Sequence, residues 1–178
     1  MPGVSTLTST YIPMDLLHAP WRIDYILAPK SPAQAGEASL FTRIAQSTDD
    51  EANYVIARGQ TCYALLNAYP YNGGHIMVVP YRQVPDWDGL GDPELLELLQ
   101  FTRRCQHALR KVMHPDGFNV GVNLGKVAGA GIVEHLHLHI VPRWNGDTNF
   151  MPVIAGTNVV PEALKETAAK LRSALSTE

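Results

Sequence analysis

The chain has 178 residues, is 46% hydrophobic and 17% charged, and carries a formal net charge of −3. That is about one domain's length, enough to bury a sizeable core, with the composition of an ordinary globular protein. The slight acidity argues against an extended basic surface for nucleic acid. There is neither an apolar run long enough for a bilayer nor a leader pattern, so no membrane partner and a cytoplasmic location are expected. The two cysteines, Cys62 and Cys105, match no metal or redox spacing and read as reduced core thiols.

Residues 1–15 read as a polar, mobile N-terminal segment, and HAPWRIDYI as a stretch that packs on the domain through Trp21, Tyr25 and Ile26. SPAQAGEAS (31–39) is a linker by composition, and LFTRIAQS (40–47) fits a short helix or a strand. NYVIARG and TCYALLNAYP form two strands joined at Gly59–Gln60, YNGG is a turn, and HIMVVPYR is a third strand ended by Pro80. Then the period changes. Leu95, Leu98, Leu99, Thr102, Cys105, Leu109 and Val112 recur at three- and four-residue spacing. They predict an amphipathic helix over 93–113, capped by Asp92 with Pro93 at its first position and stopped at Pro115–Gly117. FNVGVNLG is a fourth strand, KVAGAGIVE a glycine-bearing connection, and HLHLHIV a fifth strand ended by Pro142. After an irregular stretch, Pro161 opens a last helix. Strands, one long helix, then strands again indicate an antiparallel α+β domain rather than alternating βα units.

The fifth strand carries the chemistry. Side chains alternate along a strand, so His135, His137 and His139 share one face, and Leu136, Leu138 and Ile140 share the other. The leucine face packs on the long helix and the histidine face opens to a site. Three imidazoles buried as plain core would each need polar partners. Two uses fit the row. One is a metal site, since histidines two apart on a strand can bind zinc with further ligands. The other is a phosphate site, since neutral imidazole is a nucleophile and imidazolium donates to phosphoryl oxygens. His75 adds a fourth histidine at the head of an apolar strand. NLGKVAGAG, just upstream of the row, brings Asn123, Lys126, Gly129 and Gly131. Glycines admit close backbone approach to phosphate, and this favours phosphate over metal. The plainer readings are a strand-end turn for Asn67 and a hydrogen-bonded core histidine for His75.

HLHLHIV matches the His-φ-His-φ-His-φ-φ pattern (φ apolar) and resembles the histidine triad (HIT) superfamily of nucleotide hydrolases and transferases. LLNAYPYNGGHIMVVPYRQV, with Asn67 eight residues before His75, resembles the family's upstream block. APWRIDYI and NLGKVAGAGIVEHLHLHIVPRWNGDTNFMPVI resemble a bacterial branch similar to diadenosine tetraphosphate phosphorylases and fragile-histidine-triad-like hydrolases. The resemblance covers 16–158 and implies a HIT-like catalytic domain: a five-stranded antiparallel sheet with one long helix packed on it. Residues 159–178 add the C-terminal helix.

The resemblance also implies roles. His137 would attack the α-phosphorus and form a covalent nucleotidyl-histidine. The His135 carbonyl would hold the Nδ1 proton of His137. His139 and His75 would contact phosphoryl oxygens, Asn67 the ribose hydroxyls, and Asn123, with the Gly129 and Gly131 backbone, the phosphate chain. The implied partners are a nucleotide substrate, inorganic phosphate as an acceptor besides water, and a second copy of the chain, paired through the helix and an adjacent strand. No cofactor is implied.

The pattern breaks in two places. Many family members carry a zinc-binding Cys-x-x-Cys near the N-terminus, where this chain reads SLFT; the hydroxyls of Ser39 and Thr42 are poor zinc ligands, so no structural metal is expected. Many hydrolases of the family have Gln-Ser or Gln-Thr just before the triad, where this chain has Gly131, Ile132 and Val133. Their glutamine contact does not carry over, and phosphorolysis fits the branch. Two rival readings stay beside the enzyme: a nucleotide sensor with little catalysis, and a nucleotide-specific enzyme of a biosynthetic pathway. His18, His107 and His114 are given no role, and Trp21 and Trp144 are read as packing residues.

Overall fold

The computed structural model describes residues 37–147 and 163–176. The readings placed on residues 1–36 and 148–162, the N-terminal segment and Pro161 among them, lie outside the described residues.

Two strands, β1 (Val55–Arg58) and β2 (Cys62–Leu66), form the expected hairpin, closed by the Gly59 N–H on the Cys62 carbonyl at 2.8 Å. The Glu97 carboxylate accepts the N–H groups of Gln60 and Thr61 at 2.7 and 2.6 Å, tying the turn to the long helix. With β3 (Ile76–Pro80), β4 (Gly117–Val122) and β5 (Leu138–Arg143) the strands make one sheet in the order β1-β2-β3-β5-β4. Every neighbouring pair is antiparallel.

Among the described residues three α-helices accompany the sheet: α1 (Leu40–Gln46), α2 (Asp92–Met113) and α3 (Leu164–Leu175). The segment left between helix and strand is thus a helix. Ser39 caps it by accepting the Thr42 N–H, and Phe41 and Ile44, three apart, are buried on one side. The cap of α2 is Gly91, not Asp92. The Glu94 carboxylate folds back onto the Gly91 N–H at 2.8 Å, which moves the cap one residue upstream. The last helix starts at Leu164, with Ala163 as its cap residue.

Both sheet faces are covered, which explains why β2 and β3 are buried at every position. On one face Ala64, Leu66, Ile76, Val78, Leu138 and Ile140 pack with Leu98, Phe101, Cys105 and Leu109 of α2 and with Ala168 and Leu171 of α3. On the other, Val55, Tyr63, Leu65, Met77 and Val79 pack with Phe41 and Ile44 of α1. The sequence reading had only the first layer.

The fifth strand differs from its expectation at both ends. Its ladder begins at Leu138, because the preceding residues leave β3 for other partners: the Leu136 N–H bonds the Val84 carbonyl at 2.6 Å. Leu136 accordingly clusters with Val84 and Leu90, while Leu138 and Ile140 face the helices. Pro142 does not end the strand. Past Ile140 no pairing with β3 continues, and such an edge position tolerates proline. Trp144 is a packing residue, half-buried with its Nε1–H 3.3 Å from the Met113 carbonyl.

Candidate active site

The sheet register sets the site. One row of cross-strand neighbours runs Val55, Leu65, Met77, His139, Gly121. The first three are buried under α1, and the row reaches the half-buried His139 beyond them. The last pair of the β4–β5 register is Val122 with Leu138, which ends β4 one residue before Asn123 and starts β5 one residue after His137.

His75 enters from the turn before β3. Gly74 holds φ at +75°, a left-handed conformation that side chains disfavour, and a Cβ there would meet the Met113 sulfur at 2.6 Å. The chain then delivers His75, buried, to His139, with Nε2 3.0 Å from the His139 Nδ1. The protons follow from the partners. The Tyr71 N–H donates to the His75 Nδ1 at 3.1 Å, so His75 carries its proton on Nε2 and donates it to the His139 Nδ1. A neutral His139 is therefore protonated on Nε2 and acts as a donor there. The Tyr71 ring stacks on His75 at 4.8 Å and 18°, fixing its plane.

Asn67 lies beside this pair, its Nδ2 3.4 Å from the His75 Nδ1 and its backbone N–H on the His75 carbonyl at 2.8 Å. It also fills the plain role of a turn residue, since its Oδ1 accepts the Tyr69 N–H at 2.9 Å.

His137 is buried against the rings of Phe41 at 5.0 Å and His139 at 4.8 Å. Its Nδ1 lies 2.9 Å from the His135 carbonyl oxygen, which can only accept. The proton is on Nδ1, and Nε2 keeps its lone pair. Burial pushes His137 below the ordinary histidine range, while the bond to the His135 carbonyl works against that. A neutral imidazole with a bare Nε2, beside a donor-bearing His139, can attack phosphorus and stabilise the charge that develops on its oxygens.

His135 differs from the sequence picture. Its ring does not open to a site: it is fully buried, Nε2 donates to the Pro80 carbonyl at 2.8 Å, and Nδ1 lies 2.6 Å from the Ser39 hydroxyl. Only its carbonyl reaches His137. Burial holds this ring, too, below the ordinary range.

The glycine loop is tighter than its composition suggests. Lys126–Ala128 form a 3-10 turn between Gly125 and Gly129, both at positive φ. The Gly129 N–H bonds the Lys126 carbonyl at 3.0 Å, so Gly129 contributes shape rather than a donor. A Cβ at Gly129 would stand 3.7 Å from the Asn123 amide nitrogen. Gly131, half-buried, shows no left-handed φ.

Sequence reasoning missed Phe41, the Pro80 carbonyl and the Tyr71 stack. Nothing in the pattern marks Phe41. Ser39 was read as the end of a linker and as a poor zinc ligand, and no spacing marked it as a helix cap or as a partner of His135.

A family model described as "HIT domain" matches residues 49–146. The AP-4-A phosphorylase of Mycobacterium tuberculosis (strain ATCC 25618 / H37Rv) is 47% identical over 166 residues, spanning 91% of this chain and 83% of that one. A bis(5'-nucleosyl)-tetraphosphatase [asymmetrical] of Schizosaccharomyces pombe is 36% identical over 93 residues, spanning 52% and 50%. Among solved structures, a Zn-bound histidine triad family protein from Mycobacterium smegmatis superposes with a TM-score of 0.63 at 26% identity, covering 79% of this chain and 94% of that one. Sequence match, five-stranded sheet and histidine geometry agree: the chain belongs to the HIT domain family.

Proposed function

We propose that this protein cleaves a dinucleoside polyphosphate at its α-phosphorus through a covalent nucleotidyl-histidine on His137 and passes the nucleotidyl group to inorganic phosphate. The observation that carries the reading is the 2.9 Å bond from the His137 Nδ1 to the His135 carbonyl, which leaves Nε2 as the nucleophilic atom. The relationship to the mycobacterial AP-4-A phosphorylase supports the substrate class and the acceptor.

In the first step the Nε2 lone pair forms a bond to the α-phosphorus, and the bridging P–O bond breaks. With diadenosine tetraphosphate, ATP departs and AMP stays on His137. His139 and His75 steady the phosphoryl oxygens, Asn67 holds the ribose hydroxyls and Asn123 the phosphate chain. Gly129 and Gly131 let the loop come close to that chain. In the second step a phosphate oxygen attacks the same phosphorus, the P–N bond breaks, and ADP leaves with the imidazole restored. The acceptor is discriminated by what lies before the triad, where Gly131, Ile132 and Val133 offer no side-chain donor to position water.

We also place the protein in the cytoplasm as a homodimer. Cys62 and Cys105 are buried thiols rather than a disulfide, and no helix among the described residues is long and apolar enough to cross a membrane. The sheet ends at β4, where Val120 is exposed, and α2 exposes Leu96 and Leu99; these apolar positions suit a second copy.

The test is product analysis with diadenosine tetraphosphate, with and without phosphate. ADP plus ATP appearing only with phosphate supports phosphorolysis. AMP plus ATP without phosphate moves the acceptor to water, and no products at all overturn the substrate class.

A further inference from the structure

Ser39, Thr42, Gln83 and His135 form a closed hydrogen-bonded cluster behind the nucleophile. The Gln83 Oε1 accepts the Ser39 N–H at 2.8 Å and the Thr42 hydroxyl at 3.0 Å. The Ser39 Oγ accepts the Thr42 N–H at 3.1 Å and lies 2.6 Å from the His135 Nδ1. The Thr42 Oγ1 is 3.1 Å from the Ser39 Oγ and 3.5 Å from the His135 Nδ1. Ser39 and His135 are both buried.

This is the place where the family resemblance implies structural zinc, and the donor set does not fit one. Two neutral hydroxyls, an amide oxygen and one imidazole bring no thiolate and no carboxylate. Their atoms already satisfy one another at hydrogen-bond distance. Among the described residues no group of three or more His, Cys, Asp or Glu could hold a metal ion.

The protons in the cluster can be assigned. The Pro80 carbonyl only accepts, so His135 carries its proton on Nε2 and its Nδ1 is an acceptor. The Thr42 hydroxyl proton goes to Gln83. The single proton of the Ser39 hydroxyl therefore goes to the His135 Nδ1. Each ring nitrogen of His135 is then bonded to a fixed group, and Phe41, the second residue of the helix that Ser39 starts, meets the His135 ring edge-on at 5.6 Å and the His137 ring at 5.0 Å. The same His135 residue presents its carbonyl to the His137 Nδ1.

We propose that Ser39 is a positioning residue for catalysis: its hydroxyl, in the place of a metal, locks the His135 ring and through it the carbonyl that holds His137 in its Nδ1–H tautomer. This rests on the reading of His137 as the nucleophile. Without the hydroxyl, the His135 Nδ1 is a buried acceptor left with only the Thr42 hydroxyl at 3.5 Å, whose proton goes to Gln83, and the residue shifts to relieve it. His137 then populates its other tautomer, whose proton sits on Nε2 and cannot attack.

The test compares Ser39→Gly, Ser39→Ala and Ser39→Thr in the full chain. Glycine is tolerated at a helix cap far better than alanine, so Ser39→Gly keeps the helix while removing the hydroxyl. Two readouts are taken: the His137 tautomer in the substrate-free protein by 15N NMR, and kcat and KM with diadenosine tetraphosphate and phosphate. The expected result for Ser39→Gly is a His137 shifted mostly to its Nε2–H tautomer and a kcat lowered roughly ten- to a hundredfold, the range in which small misplacements of reacting groups fall, with KM changed little. Ser39→Thr restores both. A folded Ser39→Gly with the wild-type tautomer and kcat overturns the proposal. A predominantly Nε2–H His137 with unchanged kcat upholds the contact and overturns His137 as the nucleophile, so the two readings fail separately.

Discussion

The carbonyl oxygen of His135 lies 2.9 Å from the Nδ1 of His137, two residues along the same chain. This contact fixes which nitrogen of His137 carries the proton, and with it which atom can act as nucleophile. His135 serves through its backbone while its ring is held by Ser39 and Pro80.

Replacing the proposed nucleophile is the plainest consequence. His137→Ala should lower turnover of diadenosine tetraphosphate by roughly a thousandfold or more, the scale seen when a covalent nucleophile is removed. The circular dichroism spectrum should stay that of the wild type. Turnover within tenfold of wild type would place the nucleophile elsewhere.

The pH dependence has a defined sign. Burial lowers the His137 pKa, so its imidazole, the proposed nucleophile, stays neutral at pH values where an ordinary histidine is protonated. The acid limb of kcat/KM should fall below about pH 6.5, the ordinary histidine value. An acid limb above that value, traced to His137 by its own titration, contradicts the environment described for it.

Stability shifts with the same groups. His135 and His137 both have lowered folded-state pKa values, so in acid the unfolded chain binds protons that the folded chain refuses. The stability they contribute is fully present above about pH 6.5 and is lost as pH falls from there toward their folded values. Urea midpoints measured from pH 7.5 to 5 should decline, and the decline should be shallower in His137→Ala. Equal slopes in the two proteins would remove His137 from the linkage.

Gly74 should resist substitution. At φ +75°, Gly74→Ala must adopt a left-handed backbone, which costs about 1–2 kcal/mol. The strain sits one residue before His75, so kcat should drop along with the thermal midpoint. Full activity at unchanged stability would mean the turn relaxes freely.

The proposed dimer gives a measurement of mass. Val120 is exposed on the edge strand β4, and a charge there blocks edge pairing between copies. Val120→Asp should sediment as a monomer where the wild type sediments as a dimer. A wild-type monomer would set the homodimer aside.

The sequence by itself determined the succession of strands and helix along the chain, the long helix and the row of histidines, while the sheet order β1-β2-β3-β5-β4 came from the tertiary pairing. The first three rest on local periodicity: apolar residues at helical spacing in α2, and alternation in HLHLHIV. The alternation said that His135, His137 and His139 share a face, and only the tertiary structure decided what each does there. His135 is sealed by Ser39 from 96 positions upstream and by the Pro80 carbonyl, while His139 meets His75, 64 positions away. Such partners are set by sheet register and by the packing of α1, and no spacing along the chain encodes them. The cap of α2 and the start of the fifth ladder shifted for a similar reason. A competing hydrogen bond, Glu94 to Gly91 or Leu136 to Val84, outranked the local pattern. The family's motif was legible because it is local; the way this chain holds His137 was not, because distant residues come together to make it.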